Sequence, residues 1–194
     1  MWRESASLLH TPARVQGRDM KATVFVGVSL DGYIARDDGR LDWLMSPEVQ
    51  AVDYGYNEFI ATVDYVVMGR RTFETVLGFD PWPYHKPVVA LSSRPLSIPE
   101  RLEGKAEAMS GTPAQVVERL AQRGAKHLYV DGGQTVTRFL DAGLIDTIVI
   151  SRLPVVIGSG IPLFGRIDHD VRLHHARTRE FPGGMVQSRY EVIR

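Results

Sequence analysis

Residues 128–150 read LYVDGGQTVTRFLDAGLIDTIVI, and this stretch decides the fold class. Leu128–Val130 is a short apolar run without polar alternation, the pattern of a strand buried on both faces. Asp131-Gly132-Gly133-Gln134 forms a turn, and a helix is expected from about Gln134 to Ala142, stopped by Gly143. A second apolar run follows at Thr147–Ile150. Strand, helix and strand in immediate succession predict a right-handed crossover between parallel strands.

Runs of the same kind recur outward from this unit, at Thr23–Val28, Tyr65–Met68 and Val88–Leu91. Thr112-Pro113 opens a helix that carries Val116, Val117 and Leu120 and ends at Gly124. Ser46-Pro47 opens another, with Val49, Val52, Tyr56, Phe59, Ile60 and Val63 on one stripe. Alternating strands and helices predict an α/β domain. The C-terminal part changes character. Val171–Glu180 and Met185–Ile193 flank Phe181-Pro182-Gly183-Gly184, and Val186, Ser188, Tyr190 and Val192 fall on one face, which predicts an antiparallel hairpin. The expected sheet is mixed, parallel in the middle and closed by an antiparallel edge. Residues 1–19 show no sustained period and read as an N-terminal extension, which leaves residues 20–194 as one domain.

The composition limits the chemistry. Of 194 residues 44% are hydrophobic and 24% charged, too apolar for disorder. Lys+Arg and Asp+Glu number 23 each, so the net charge is zero and nucleic acid is not an expected partner. The absence of cysteine excludes disulfides, cysteine zinc sites, iron–sulfur clusters and thiol nucleophiles. No apolar stretch approaches the roughly 18 residues of a membrane span, and no signal-peptide core is visible. A cytoplasmic, metal-independent protein with no membrane partner is expected.

In open α/β sheets ligands sit at the carboxyl ends of the strands, and here those ends carry unusual residues. Gly69-Arg70-Arg71-Thr72 opens a helix where free N–H groups suit an anion, although a solvated basic turn has the same sequence. Leu91-Ser92-Ser93-Arg94 offers two hydroxyls and a guanidinium, a set that suits a terminal phosphomonoester such as the 2′-phosphate of NADPH, or equally a serine-capped turn. Asp131-Gly132-Gly133-Gln134-Thr135 places paired glycines at a strand-to-helix turn, where a pyrophosphate can approach the backbone. The first strand feeds Ser29–Gly39, long enough for a mobile lid and equally readable as a solvated loop. Three anion-friendly turns on one sheet edge are better explained by a dinucleotide phosphate than by coincidence.

The segments SLDGYIA, DYGYNEFIATVDYVVMGRRTFE, VVALSSR and YVDGGQTVTRFLDAGLIDTIVISRLPVVIGSGIPLFG, in this order, resemble the dihydrofolate reductase-like reductases. The likeness covers nearly all of residues 21–194. It is strongest to stand-alone relatives of the C-terminal reductase domain of the bifunctional riboflavin deaminase-reductase. It implies a three-layer, dihydrofolate reductase-like fold with an eight-stranded mixed sheet, acting as a homodimer. It further implies NADPH-dependent hydride transfer to a small heterocyclic, pyrimidine- or pterin-like substrate. The 5-amino-6-(5-phosphoribosylamino)uracil reductase of riboflavin biosynthesis exemplifies that activity, and a weak dihydrofolate reductase or a non-catalytic NADPH-binding protein are the alternatives. By the same resemblance, Gly69, Arg70, Arg71 and Thr72 would hold adenine-side phosphates, Ser92, Ser93 and Arg94 would meet the 2′-phosphate, and Leu91 would belong to the same cofactor-binding set. Gly132, Gly133, Gln134 and Thr135 would hold the pyrophosphate, Asp131 would belong to the same cofactor-binding set, and Ile34 and Ala35 would line the nicotinamide.

The substrate side matches the family less well. Folate reductases place a carboxylate at the start of their first helix, and here the matching position is Glu48 or Asp53, depending on the direction of counting. Five residues apart on one helix, the two differ by roughly 140° and cannot share a site. Asp53 is preferred, because Glu48 suits the helix macrodipole. Asp31 in the lid is the second catalytic candidate, although with Gly32 it also suits a turn. Lys86 stands near the place of the tail-clasping arginine, and GRRTFETV replaces the usual riboflavin-reductase segment. The deaminase motif H-x-E with P-C-x-x-C is absent. Trp82 between Pro81 and Pro83 fits either a pocket wall or a packed turn, and Gly158-Ser159-Gly160-Ile161-Pro162 is expected as a structural loop near the dimer contact or the pocket. His169, His174 and His175 have no metal-ligand spacing.

Overall fold

A computed structural model of the chain describes residues 19–44 and 52–194. Among the described residues there are ten strands: β1 (Lys21–Val28), β2 (Tyr33–Ala35), β3 (Tyr65–Gly69), β4 (Val88–Leu91), β5 (Ala106–Met109), β6 (His127–Asp131), β7 (Thr147–Arg152), β8 (Ile161–Pro162), β9 (Leu173–Glu180) and β10 (Val186–Val192). The described helices are α1 (Tyr56–Ala61), α2 (Arg70–Val76), α3 (Pro113–Gln122) and α4 (Gly133–Asp141). Eight strands form one sheet in the order β5-β4-β3-β6-β1-β7-β10-β9. Its first six are parallel, and β10 runs antiparallel to both β7 and β9. The mixed sheet and the C-terminal hairpin are therefore as the sequence predicts.

Successive side chains of a strand point to opposite faces, and the central strands supply two separate cores. Val67, Val89, Leu128 and Val130 face one way and pack with Val116, Leu120, Val136 and Phe139 of α3 and α4. Val66, Met68, Val88, Ala90 and Tyr129 face the other way and meet Phe73 and Val76 of α2, with Phe59 and Ile60 of α1 at the margin. This is why the strands read as continuous apolar runs: both faces are dry. The result is three layers in the dihydrofolate reductase-like arrangement.

The ends of the helices follow local chemistry. Thr112 and Gln115 form a reciprocal capping box at α3, with Pro113 at its first position. The segment from Ser46 to Val63 is not one helix in its described part: residues 52–55 are non-helical, and α1 begins only after Gly55, whose φ is +84°. The left-handed glycine and the Asp53 carboxylate, which accepts from Gly55, Tyr56 and Asn57 N–H, start the helix there. The 140° relation between Glu48 and Asp53 therefore does not apply, and Glu48 lies outside the described residues. β5 carries no strand signal in its sequence AEAM; it forms because β4 offers an open parallel edge.

The Ser29–Gly39 segment is tied down rather than open. Tyr33 and Ala35 in β2 pair with Pro162 and Ile161 in β8. Arg36 forks onto Asp42 through two bonds of 2.7 Å, Arg40 binds Asp38, and Ser159 donates to Asp37. These contacts join the expected lid segment to β8 and to Ser159. A Cβ on Gly160 would lie 2.3 Å from the Ala35 carbonyl oxygen, so only glycine lets the two backbones meet.

Candidate functional site

β3, β4 and β6 end side by side in the parallel half of the sheet, and α2 and α4 spring directly from β3 and β6. Between these ends and the β2–β8 ribbon lies a cavity of about 670 Å³. Every cofactor-side residue expected from the sequence lines it: Ile34 and Ala35, Gly69 to Thr72, Leu91 to Arg94, and Asp131 to Thr135. Segments far apart in the chain thus meet in one cleft because parallel strands deliver their loops to the same edge.

The floor of the cleft is backbone. Gly132 has φ +86° and ψ 132°, a conformation open to glycine almost alone. A Cβ there would come within 2.2 Å of the Thr72 hydroxyl oxygen, and one on Gly133 within 2.4 Å of the Pro162 carbonyl oxygen. A Cβ on Gly69 would meet the Thr135 hydroxyl oxygen at 2.8 Å. Three glycines therefore form a cradle that any side chain would fill, with the N-terminal end of α4 opening onto it. Such a surface fits the close approach of a diphosphate.

The rim is basic, and its residues divide into structural and available groups. Arg70 is committed: it binds Glu74 at 2.7 Å and the Pro95 carbonyl at 3.1 Å, which ties α2 to the loop after β4. Ser92 is also committed, donating to the Arg94 carbonyl and accepting its N–H, so it shapes the turn. Arg71, Ser93 and Arg94 are left, with no hydrogen bond or ion pair to their side chains among the described residues. The guanidiniums of Arg71 and Arg94 with the Ser93 hydroxyl are the donors that suit a phosphomonoester.

The inner wall is aromatic and acidic. Phe25 stacks on Phe59 with ring centroids 4.9 Å apart, Tyr129 meets Phe59 edge-on, and Trp82 contacts both Phe73 and Tyr84. Trp82 therefore packs a turn, and its neighbour Tyr84 is the one that lines the cleft. Asp131, the last residue of β6, receives the Gly132 N–H on Oδ1 at 2.7 Å and the Tyr84 hydroxyl on Oδ2 at 3.1 Å. Burial pushes its carboxyl above the usual range, and those two hydrogen bonds only partly oppose the effect. Burial and the nearby Asp131 push Tyr84 well above the usual phenol value and Tyr56 up to about 12.

Neither expected catalytic carboxylate lines this cavity. Asp53 spends its oxygens on the N-terminus of α1 and on the Asn57 amide. Asp31 takes the N–H groups of Ile157 and Gly158, fastening the first loop to the loop after β7. The Ser29 hydroxyl and those amides hold its carboxyl below the usual range. Lys86 donates to the Ala61 carbonyl, away from the cleft. The acidic group that does line the cleft, Asp131, was legible only as part of a phosphate loop, because nothing local in sequence foretells the approach of Tyr84. No cluster of metal-ligating side chains occurs among the described residues, and no helix among them is long and apolar enough to cross a membrane.

A family model for the RibD C-terminal domain matches residues 20–187. The chain belongs to the RibD C-terminal domain family. Within the range of this domain, it is similar to a crystal structure from Shewanella sp. PV-4 named "Putative riboflavin biosynthesis protein". The two share 39% identity over 90% of this chain and 100% of that one, with a TM-score of 0.85. Two more distant structures share the fold. One is the diaminohydroxyphosphoribosylaminopyrimidine deaminase/5-amino-6-(5-phosphoribosylamino)uracil reductase of Thermotoga maritima, at 15% identity and a TM-score of 0.69, covering 90% of this chain and 57% of that one. The other is dihydrofolate reductase from Enterococcus faecalis complexed with NADP(H), at 17% identity and a TM-score of 0.64, covering 90% and 97%. The RibD C-terminal match starts one residue before β1 and ends within β10.

Proposed function

We propose that this RibD C-terminal domain is an NADPH-dependent reductase that transfers a hydride to a small pyrimidine-like heterocycle. The observation that carries this reading is the glycine cradle of Gly69, Gly132 and Gly133, set between an uncommitted basic rim and an aromatic wall. A diphosphate on the cradle, a 2′-phosphate on Arg71, Ser93 and Arg94, and a ring beside Ile34 and Ala35 are the assignments that follow. Support comes from the family, from the riboflavin-related name of the Shewanella protein and from the NADP(H) complex of a fold neighbour.

When bound, the cofactor supplies the hydride. The chain does the rest. Its backbone cradle fixes the diphosphate, its rim selects the phosphate end, and its aromatic wall offers a dry surface for a planar ring. Asp53, the described candidate for a pterin-protonating carboxylate, caps α1 instead of lining the cavity.

Calorimetric titration tests the reading. NADPH is expected to bind at micromolar strength and NADH much more weakly. Arg94→Ala is expected to weaken NADPH binding roughly 10- to 100-fold, the worth of a charged hydrogen bond, and to leave NADH unchanged. Loss of NADPH absorbance in the presence of aminouracil, pterin and dihydrofolate substrates then identifies the heterocycle. Absence of binding by either nucleotide would refute the proposal.

A further inference from the structure

A second cavity lies towards the other end of the strands. Phe59 of α1 stacks on Phe25 of β1 and meets Tyr129 of β6 edge-on, so α1 covers these two strands. Beyond them, over β7, β10 and β9, the same face of the sheet carries a trough of about 670 Å³. Lys21, His127 and Thr147, the first residues of β1, β6 and β7, line it. The glycine cradle, by contrast, stands at the carboxyl ends of β3 and β6. Phe25 lines both cavities and is the partition between them.

The rim of the trough is basic beyond anything the fold requires. Arg177 of β9 stands directly opposite Arg189 of β10, and Arg179 lies two residues along the same face. Like charges opposed across a strand pair destabilise a sheet. Lys21, Arg177 and Arg179 have no hydrogen bond or ion pair to their side chains among the described residues. Arg189 reaches Glu191 only at 4.0 Å. Arg194 is committed to Asp146, which also accepts from the Ala22 N–H, and Glu58 is the remaining carboxylate of the trough.

The floor is polar, buried and rich in acceptors. Thr62 gives its hydroxyl hydrogen to the Phe59 carbonyl at 2.7 Å, so its oxygen accepts from His127 Nδ1–H. His127 Nε2 is then the acceptor of the Thr23 hydroxyl hydrogen, which leaves Thr23 Oγ1 with lone pairs only. Gln187 spends both amide hydrogens, on the Tyr54 carbonyl and the Ser151 hydroxyl, and keeps Oε1 as an acceptor. Thr147 is only 8% exposed, and its hydroxyl has no hydrogen-bond partner among the described residues. Such a buried hydroxyl costs stability unless something in the trough meets it.

We propose that this trough binds a phosphorylated polyhydroxy compound, a sugar phosphate in kind, with its phosphate on Arg177 and Arg179 and its hydroxyls on Thr23, Thr147 and Gln187. A phosphate supplies the negative charge that the opposed arginines lack. The hydroxyls of a polyol supply the hydrogens that an acceptor floor needs, and a bare anion has none to give. The site goes beyond the reductase reading and does not depend on it.

Glucose 6-phosphate, glucose and inorganic phosphate are the probes, titrated into the full chain by calorimetry and followed by amide NMR. Glucose 6-phosphate is expected to bind roughly 10-fold or more tighter than inorganic phosphate, and glucose not measurably. The amides that shift are expected in β9, β10 and around Thr147. Arg177→Ala and Arg179→Ala, at exposed positions, are expected to keep the parental melting temperature and each to weaken glucose 6-phosphate roughly 10-fold. Thr147→Val is expected to weaken glucose 6-phosphate and to leave inorganic phosphate unchanged. Equal affinity for glucose 6-phosphate and inorganic phosphate would make this an adventitious ion site only and overturn the proposal. Absence of glucose 6-phosphate binding, shifts confined to residues 92–94 and 131–135, or binding that survives both arginine substitutions would overturn it too. If glucose 6-phosphate does not bind and Arg177→Ala changes the sedimentation of the protein, the face is a contact between copies of the chain instead.

Discussion

Replacing Gly132 by alanine probes the cradle directly, and the size of the effect can be worked out from its geometry. Two contributions act. At φ +86° and ψ 132° an L-residue is strained by about 1–3 kcal/mol. The new Cβ also stands 2.2 Å from the Thr72 hydroxyl oxygen, and escape requires Thr72 to leave its rotamer, which costs about 0.5–1.5 kcal/mol. The sum is about 1.5–4.5 kcal/mol. In a domain of this size each kcal/mol lowers the melting temperature by roughly 2–4 °C, so Gly132→Ala is expected to melt roughly 3–18 °C below the parent. The two contributions separate in a double-mutant cycle. Thr72→Ala removes the overlapping oxygen and leaves the backbone strain, so the double variant should recover only the rotamer share. Differential scanning calorimetry of the four proteins gives the result. If Gly132→Ala melts within about a degree of the parent, or if Thr72→Ala recovers nothing, the cradle is not packed as described. NADPH affinity should fall in Gly132→Ala, because the displaced Thr72 sits beside Arg71 at the head of α2.

Two further outcomes concern the scaffold. Leu120 is fully buried under the sheet on α3, and Leu120→Ala is expected to lose about 2–5 kcal/mol in urea unfolding; a loss under 1 kcal/mol would contradict the core assignment. His127 is held by the hydroxyls of Thr23 and Thr62, and burial keeps its imidazole below the usual 6.5. The fold then favours neutral His127, so its stability is intact above pH 6.5 and is lost as pH falls below that value and the unfolded chain takes up the proton. The difference in urea midpoint between the parent and His127→Gln should be flat above pH 6.5 and shrink below it. A difference that stays constant across that range would refute the assignment.

Much of this molecule was legible in the sequence because short-range physics wrote it there. Strands buried on both faces must be continuously apolar, and β3, β4, β6 and β7 were located on that signal alone. Thr112-Pro113 and Gly143 marked helix ends through local capping chemistry. The cofactor side of the cleft was legible for a related reason. A backbone that must approach a diphosphate needs glycine, and glycine at a strand-to-helix turn is visible in one dimension. Signals of this kind were missing for β5, where AEAM becomes a strand only because β4 has an unpaired edge. They misled at residues 52–55, which the apolar stripe includes but which are not helical, the helix starting only after the left-handed Gly55.

The acidic groups show the limit most clearly. Asp31, Asp53 and Asp131 are the same residue type, and each stands in a loop or at a strand end. Tertiary structure alone gives each its work, because a carboxylate is defined by the hydrogens that reach it. Backbone N–H groups of the chain around 157 take Asp31, and those of α1 take Asp53. Asp131 is met by Tyr84, 47 residues away in sequence, inside the cleft. Sequence determined the layers, the strand ends and the glycine floor, since these follow from periodicity and backbone freedom. Only the folded chain decided which aspartate faces the cavity, because that depends on where distant loops meet.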